Sequence, residues 1–121
     1  MGEYKVIFFF DPATGKIPVR EYLDGITPKE RAKILKYIEF LREHQGVLDE
    51  PYTKHIRGKT RELRVDFGRN RHRIFFFTFV GKNIILLHAF LKKTAQTPEG
   101  EITRALNNYN KVIINPKLYE Y

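Results

Sequence analysis

An α+β fold, a small antiparallel sheet with helices packed on one side of it, is what the patterning of this chain predicts. Three observations carry that prediction. A strong helical pattern from Thr27 to Gly46 precedes a block of strand patterns from Arg61 to Phe90. Short turn signals, Gly68-Arg69-Asn70 and Gly81-Lys82-Asn83, punctuate the block and join it as an antiparallel meander. A second long helical pattern then starts at Thr97. Strands grouped together, with helices before and after, give the order β-α-α-β-β-β-α.

Each element has its own signal. Tyr4 to Phe10 is a strand with Val6, Phe8 and Phe10 on one face and Ile7 and Phe9 on the other. Apolar residues on both faces mark a central strand, or an edge covered by helices. Asp11 to Gly15 is a loop, and Pro18 to Ile26 is a short helix carrying Val19, Tyr22, Leu23 and Ile26 at helical spacing. Thr27 caps the next helix, Pro28 fits its first position and Glu30 completes a capping box. Ala32, Leu35, Ile38 and Leu41 line its apolar face, with Ile34 and Tyr37 beside them, while Arg31, Lys33, Lys36 and Arg42 point outward. Gly46 is its stop.

Residues 47–53 read as an irregular link, and Lys54 and His55 as part of a loop. In Arg61 to Phe67, Leu63, Val65 and Phe67 share one face, and Arg64 and Asp66 the other. Arg73 to Val80 and Ile84 to Phe90 are rich in aromatic and β-branched residues. Arg73 alternates with Phe75 and Phe77, so its side chain shares their face, where Glu62 or Asp66 is a candidate ion partner. Phe75, Phe77 and Phe79 alternate with Phe76 and Thr78, which predicts an exposed ring at the sheet's end, able to stack on a base. Thr97 caps the last helix, followed by Pro98, and Glu99 and Glu101 lie in its first turn, where the macrodipole favours acids. Ile102, Ala105, Leu106 and Tyr109 form its stripe. Asn115-Pro116 ends regular structure. The whole is one domain, 1–121, with 110–121 as a C-terminal tail whose last residues carry no structural signal.

Composition narrows the function. A formal net charge of +8 and a pI near 9.8 suggest a polyanionic partner. The absence of cysteine removes disulfides, thiolate catalysis and cysteine-based zinc sites. The apolar run in MGEYKVIFFFDP is too short for a signal peptide, and no run has the length of a membrane span, so a cytoplasmic protein without membrane contact is expected. Val6 stands where a myristoylation signal has Ser or Thr.

The four histidines, His44, His55, His72 and His88, form no compact metal pattern, and no phosphate-loop, dinucleotide or nucleophile-elbow motif occurs. No metal and no cofactor is expected. The basic stretch is dense: Lys54, Arg57, Lys59, Arg61, Arg64, Arg69, Arg71 and Arg73 stand against Glu62 and Asp66 alone. Arginines in that density, without a metal site, suit cleavage of RNA by its own 2′-hydroxyl. The substrate supplies the nucleophile, and fixed cations stabilise the charge that builds on phosphorus. Lys59, Arg61, Arg69 and Arg71 are read as RNA-binding.

In combination, Ile56-Arg57-Gly58, Glu62-Leu63-Arg64, His72-Arg73-Ile74, Leu86-Leu87-His88-Ala89-Phe90-Leu91-Lys92-Lys93 and Thr97-Pro98 resemble the RelE/ParE toxin superfamily. Within it the pattern is similar to the phage-derived, HigB-like branch. The resemblance spans roughly Lys54 to Tyr109. It implies a RelE-like fold and the toxin of a type II toxin–antitoxin pair: a ribosome-dependent, metal-independent mRNA endonuclease with a helix-turn-helix antitoxin. By resemblance, Lys54, Arg64, Arg73 and His88 are the catalytic candidates, and Arg57, Phe90, Lys92 and Lys93 bind RNA. Some relatives place a catalytic tyrosine or a terminal histidine near the last strand or the C-terminus. Phe90 supplies no such group, which leaves the proton donor open. The alternatives are a ParE-type topoisomerase inhibitor and a basic RNA-binding domain without catalysis.

Overall fold

The computed structural model describes residues 3–79 and 82–120. Val80 and Gly81 of the expected hairpin loop lie outside them, as do Met1, Gly2 and Tyr121. The elements run β1 (Lys5–Phe8), α1 (Pro18–Asp24), α2 (Pro28–Glu43), β2 (Thr53–Arg57), β3 (Thr60–Phe67), β4 (Asn70–Phe79), β5 (Asn83–Lys92) and α3 (Glu99–Ile114), then a 3₁₀ turn, Pro116–Tyr119. No helix among the described residues is long and apolar enough to cross a membrane.

The α+β class holds, with three revisions. The sheet has five strands in the order β1-β5-β4-β3-β2, and it is mixed, because β1 pairs parallel with β5. β1 is therefore an edge strand, and its two apolar faces have a plain cause: helices cover both sides of the sheet, where the sequence suggested one. Leu63, Val65, Ile74, Phe76, Ile84 and Leu86 pack with Val19, Leu23, Ile34, Ile38 and Leu41 of α1 and α2. Phe75, Phe77, Ile85, Leu87 and Phe90 pack on the other side with Ile102, Ala105 and Val112 of α3 and with Tyr119. β4 is consequently buried on both faces from Ile74 to Phe77, so Phe75, Phe76 and Phe77 are core, while Phe79 at the strand's end is half-buried against the α3-side cluster.

β2 is the strand that patterning missed. Its sequence, Thr-Lys-His-Ile-Arg, has no apolar alternation, because an edge strand takes its order from backbone pairing with β3 rather than from a buried face. Lys54 and His55 lie on this strand, not on a loop.

Helix α2 keeps its predicted start. The Glu30 N–H donates to Thr27 Oγ1 at 3.2 Å, and Pro28 stands in the first turn. Its buried side is Glu30, Ile34, Ile38 and Leu41, whereas Ala32 and Leu35 are exposed. Arg31, expected outward, folds back on α1. Its Nε donates to the Leu23 carbonyl at 2.8 Å, which satisfies a carbonyl at that helix's end. Gly46 ends the α2 connection at φ +78°, and its N–H donates to Leu41 O at 2.9 Å.

Thr97 does not cap α3. Its hydroxyl donates to Glu62 Oε2 at 3.0 Å, and Pro98 occupies the cap position. α3 runs on to Ile114, so 110–114 is helix rather than tail. The remaining tail is also ordered: Tyr119 is fully buried, and its hydroxyl donates to Phe10 O at 2.8 Å.

Candidate nucleic-acid interface

Strand alternation brings Glu62 and Arg64 of β3, Arg73 of β4 and Lys92 of β5 to the α3 side of the sheet. Arg64 and Arg73 are direct partners in the register. Glu62 is fully buried, with Arg73 Nε 3.2 Å from its Oε1. That contact is ionic without a hydrogen bond, since neither atom is satisfied. Arg73 Nη1 also meets Asp66 Oδ1 at 2.7 Å. Arg73, 2% exposed, is thus closed between two carboxylates, the ion pairing that alternation suggested.

Arg64 is half-buried and approaches Glu62 only at 3.9 Å. Lys54 is exposed and sits opposite Glu62 in the β2–β3 register. Lys92 is 8% exposed. Burial pushes its ammonium below the usual lysine range. Glu62 opposes that shift, while Arg73, Arg64 and Lys54 deepen it. Lys54, Arg64, Arg73 and Lys92 stand against Glu62 and Asp66, a surplus of two positive charges at a partly dry surface. An anion there would relieve the mutual repulsion.

A β-bulge places His88. Phe75 pairs with His88 and Phe76 with Leu86, so Leu87 is the extra residue of β5. Leu87 and His88 therefore share a face, and the His88 ring lies beside Phe75 and Phe90. Its Nε2 donates to Glu101 Oε1 of α3 at 2.6 Å. His88 is thereby fastened to the helix that covers this side.

The other sequence candidates separate from the cluster. Arg57 forms a bidentate pair with Glu99, its closer contact 2.9 Å. Arg61 turns to the opposite face and donates to Thr53 Oγ1 at 3.0 Å. Lys59 is exposed beside the β2–β3 turn, Arg69 stands at the β3–β4 turn, and Lys93 is exposed after β5. Arg71 pairs with Lys92 in the register and extends the cluster outward. Phe90 is core, 6% exposed.

A second polar group, unread in the sequence, pins α1 and α2 to β4. Tyr22 donates to His72 Nδ1, and His72 Nε2 donates to Glu30 Oε2, both at 2.6 Å. Asn70 and Thr27 each donate to Glu30 at 2.9 Å. The hydrogen bonds from Asn70, Thr27 and His72 hold the Glu30 carboxyl below its usual range. Burial, with the Glu30 charge nearby, pushes the Tyr22 phenol up to about 12. Helical spacing alone could not reveal this group, because its members come from three elements.

Comparison with known proteins fits this geometry. Residues 21–110 match the family described as phage derived protein Gp49-like (DUF891). No curated protein matches the sequence. Among solved structures, a free-state structure of an arginine double mutant of the E. coli toxin RelE is similar at a TM-score of 0.56. It is 12% identical, over 88% of this chain and 97% of that one. At that identity the likeness shows the fold. The family match covers most of the chain, including every strand of the cation cluster, and by it the chain belongs to the Gp49-like family of phage-derived proteins, a RelE/HigB-like toxin family.

Proposed function

We propose that the chain is the toxin of a type II toxin–antitoxin pair and that it cuts mRNA on the ribosome. The observation that carries this reading is Lys92, a nearly buried ammonium held among Arg64, Arg73 and Lys54. A fold keeps such a charge where an anion completes the site, and the scissile phosphate has the right charge and shape.

In this reading the RNA 2′-hydroxyl gives its proton to solvent water and its oxygen attacks the adjacent phosphorus. The bond from phosphorus to the 5′-oxygen breaks, and that oxygen takes a proton. A cyclic phosphate and a free 5′-hydroxyl result. Arg64 and Lys54 face the phosphate and stabilise the charge that builds on its oxygens. Lys92, with its lowered proton affinity, is placed to donate to the leaving oxygen. Arg73 acts through Glu62 and Asp66 and holds the cluster in shape rather than touching RNA. His88 fastens α3 over the same face. The RelE-like fold implies an antitoxin partner; a helix-turn-helix protein is the proposed form. DNA lacks the 2′-hydroxyl, so RNA is selected by chemistry.

The test is single-turnover cleavage on programmed ribosomes. Arg64→Ala is expected to cut about 100-fold more slowly at saturation, since losing one aimed donor costs on the order of 3 kcal/mol. A folded Arg64→Ala protein that cuts at the wild-type rate would remove Arg64 from catalysis. Induction that leaves translation running while DNA replication stops would replace the reading with topoisomerase inhibition.

A further inference from the structure

Tyr52 lies in the segment before β2 and, at 41% exposed, is the most exposed aromatic residue among the described residues. Its carbonyl accepts the Arg64 N–H at 2.9 Å. The two residues are thus neighbours at the sheet edge, just past the end of β2. Lys33, Tyr37, Pro51, Tyr52, Arg64 and Asp66 line a cleft of about 280 Å³ there. Its aromatic wall continues beyond it: the Tyr52 ring meets Tyr37 at 6.2 Å and Phe40 at 5.6 Å, both edge-on.

Two cations, Lys33 and Arg64, line the cleft against one acid. Asp66 is its only acid, and that carboxylate is already engaged by Arg73 at 2.7 Å. The Lys33 ammonium lies 5.8 Å from the Tyr37 ring centre and donates to the Asp66 carbonyl. Arg64 belongs both to this cleft and to the cation cluster around Glu62. A π-surface therefore begins where the phosphate-facing cations end, with one arginine shared between them.

We propose that this cleft is a nucleobase subsite. The base of the nucleotide next to the scissile phosphate stacks on Tyr52, with Arg64 between base and phosphate. The proposal rests on the mRNA-cleavage reading of the cation cluster. A nucleotide joins a flat π-face to an anion one sugar away, and Arg64 beside Tyr52 offers the complement of both. The pairing of ring and cation favours RNA over an apolar helix of a protein partner, which would offer Lys33 and Arg64 no anion.

The experiment uses the full chain on ribosomes programmed with mRNAs that differ in the codon exposed to the protein. Tyr52→Ala is expected to raise the protein concentration for half-maximal cleavage by about 10- to 100-fold, the usual loss for one stacked base. It should also flatten the preference among codons and leave the salt dependence unchanged, since no phosphate contact is removed. Tyr52→Phe, which keeps the π-face, should recover most of the loss. Wild-type half-saturation and codon preference in a folded Tyr52→Ala protein overturns the subsite while the cleavage reading stands. Unaltered cleavage with lost antitoxin affinity overturns it in favour of protein docking. Wild-type protein that leaves every mRNA intact overturns the cleavage reading, and the subsite with it.

Discussion

Arg64 and Arg73 stand opposite one another on β3 and β4, and their surroundings demand different outcomes from the same substitution. Arg73 is buried between Glu62 and Asp66, and Glu62 is fully buried too. Removing the guanidinium leaves a carboxylate without its partner in a dry place. Arg73→Ala is therefore expected to destabilise the protein by about 3–5 kcal/mol, read as a lower urea midpoint. Arg64 is half-buried and only loosely paired, so Arg64→Ala should keep the wild-type midpoint. Equal midpoints for the two variants would show that Arg73 is not the structural member of the pair. The sequence put Arg64 opposite the apolar face of its strand and Arg73 on the face of Phe75 and Phe77; the β3–β4 register puts the two side by side. The sequence did not separate them by depth, because depth depends on β5 and α3 closing over β4.

Two elements are held by contacts that local pattern does not display. The first is the start of α2, where Asn70 and His72 of β4 donate to Glu30 beside its local partner Thr27. A carboxyl held below its usual value by such bonds stabilises the fold where it is ionised in both states. That contribution is lost as pH falls below the ordinary glutamate value of 4.5 and through the lower folded value. Glu30→Gln should thus be less stable than wild type at pH 7, and the gap should narrow under acid. Urea midpoints measured from pH 7 to pH 3 check this, and a constant gap would refute it. The second element is the terminal 3₁₀ turn. Tyr119 fills a site against Phe9 and Phe10, with ring centres 5.8 and 4.9 Å away. Tyr119→Ala is expected to cost about 3–5 kcal/mol, as for other large buried rings, measurable by thermal unfolding. A variant as stable as wild type would mean that the turn is an appendage. In sequence this segment carries no periodicity, because a single anchoring ring makes no repeat.

At the scale of the whole molecule, the positive surplus acts at long range. Ribosome binding is expected to weaken steeply between low and moderate salt, because phosphate contacts release condensed cations. Filter binding across a salt series measures the slope, and a flat response would remove the basic surface from recognition. The paired residues should contribute least to that slope. Arg57 is already bound to Glu99 and Arg73 to two carboxylates, whereas Lys54, Arg71 and Lys93 stand exposed.

The sequence by itself determined the α+β class, the three helices, the meander from Arg61 to Phe90 and the face shared by Arg64 and Asp66. These follow from local periods of 2 and 3.6 residues and from turn and cap chemistry, which a single stretch carries within itself. Tertiary structure alone decided the rest. The parallel seating of β1 beside β5, the helices on both faces and the polar edge strand β2 all depend on pairings between distant segments. So does the site. A bulge turns His88 onto the α3 side, Thr97 leaves its expected cap for Glu62, and Tyr52 emerges beside Arg64. Each of these rests on which atoms lie opposite one another once the sheet closes, and the period of one segment holds no information about its neighbour's register.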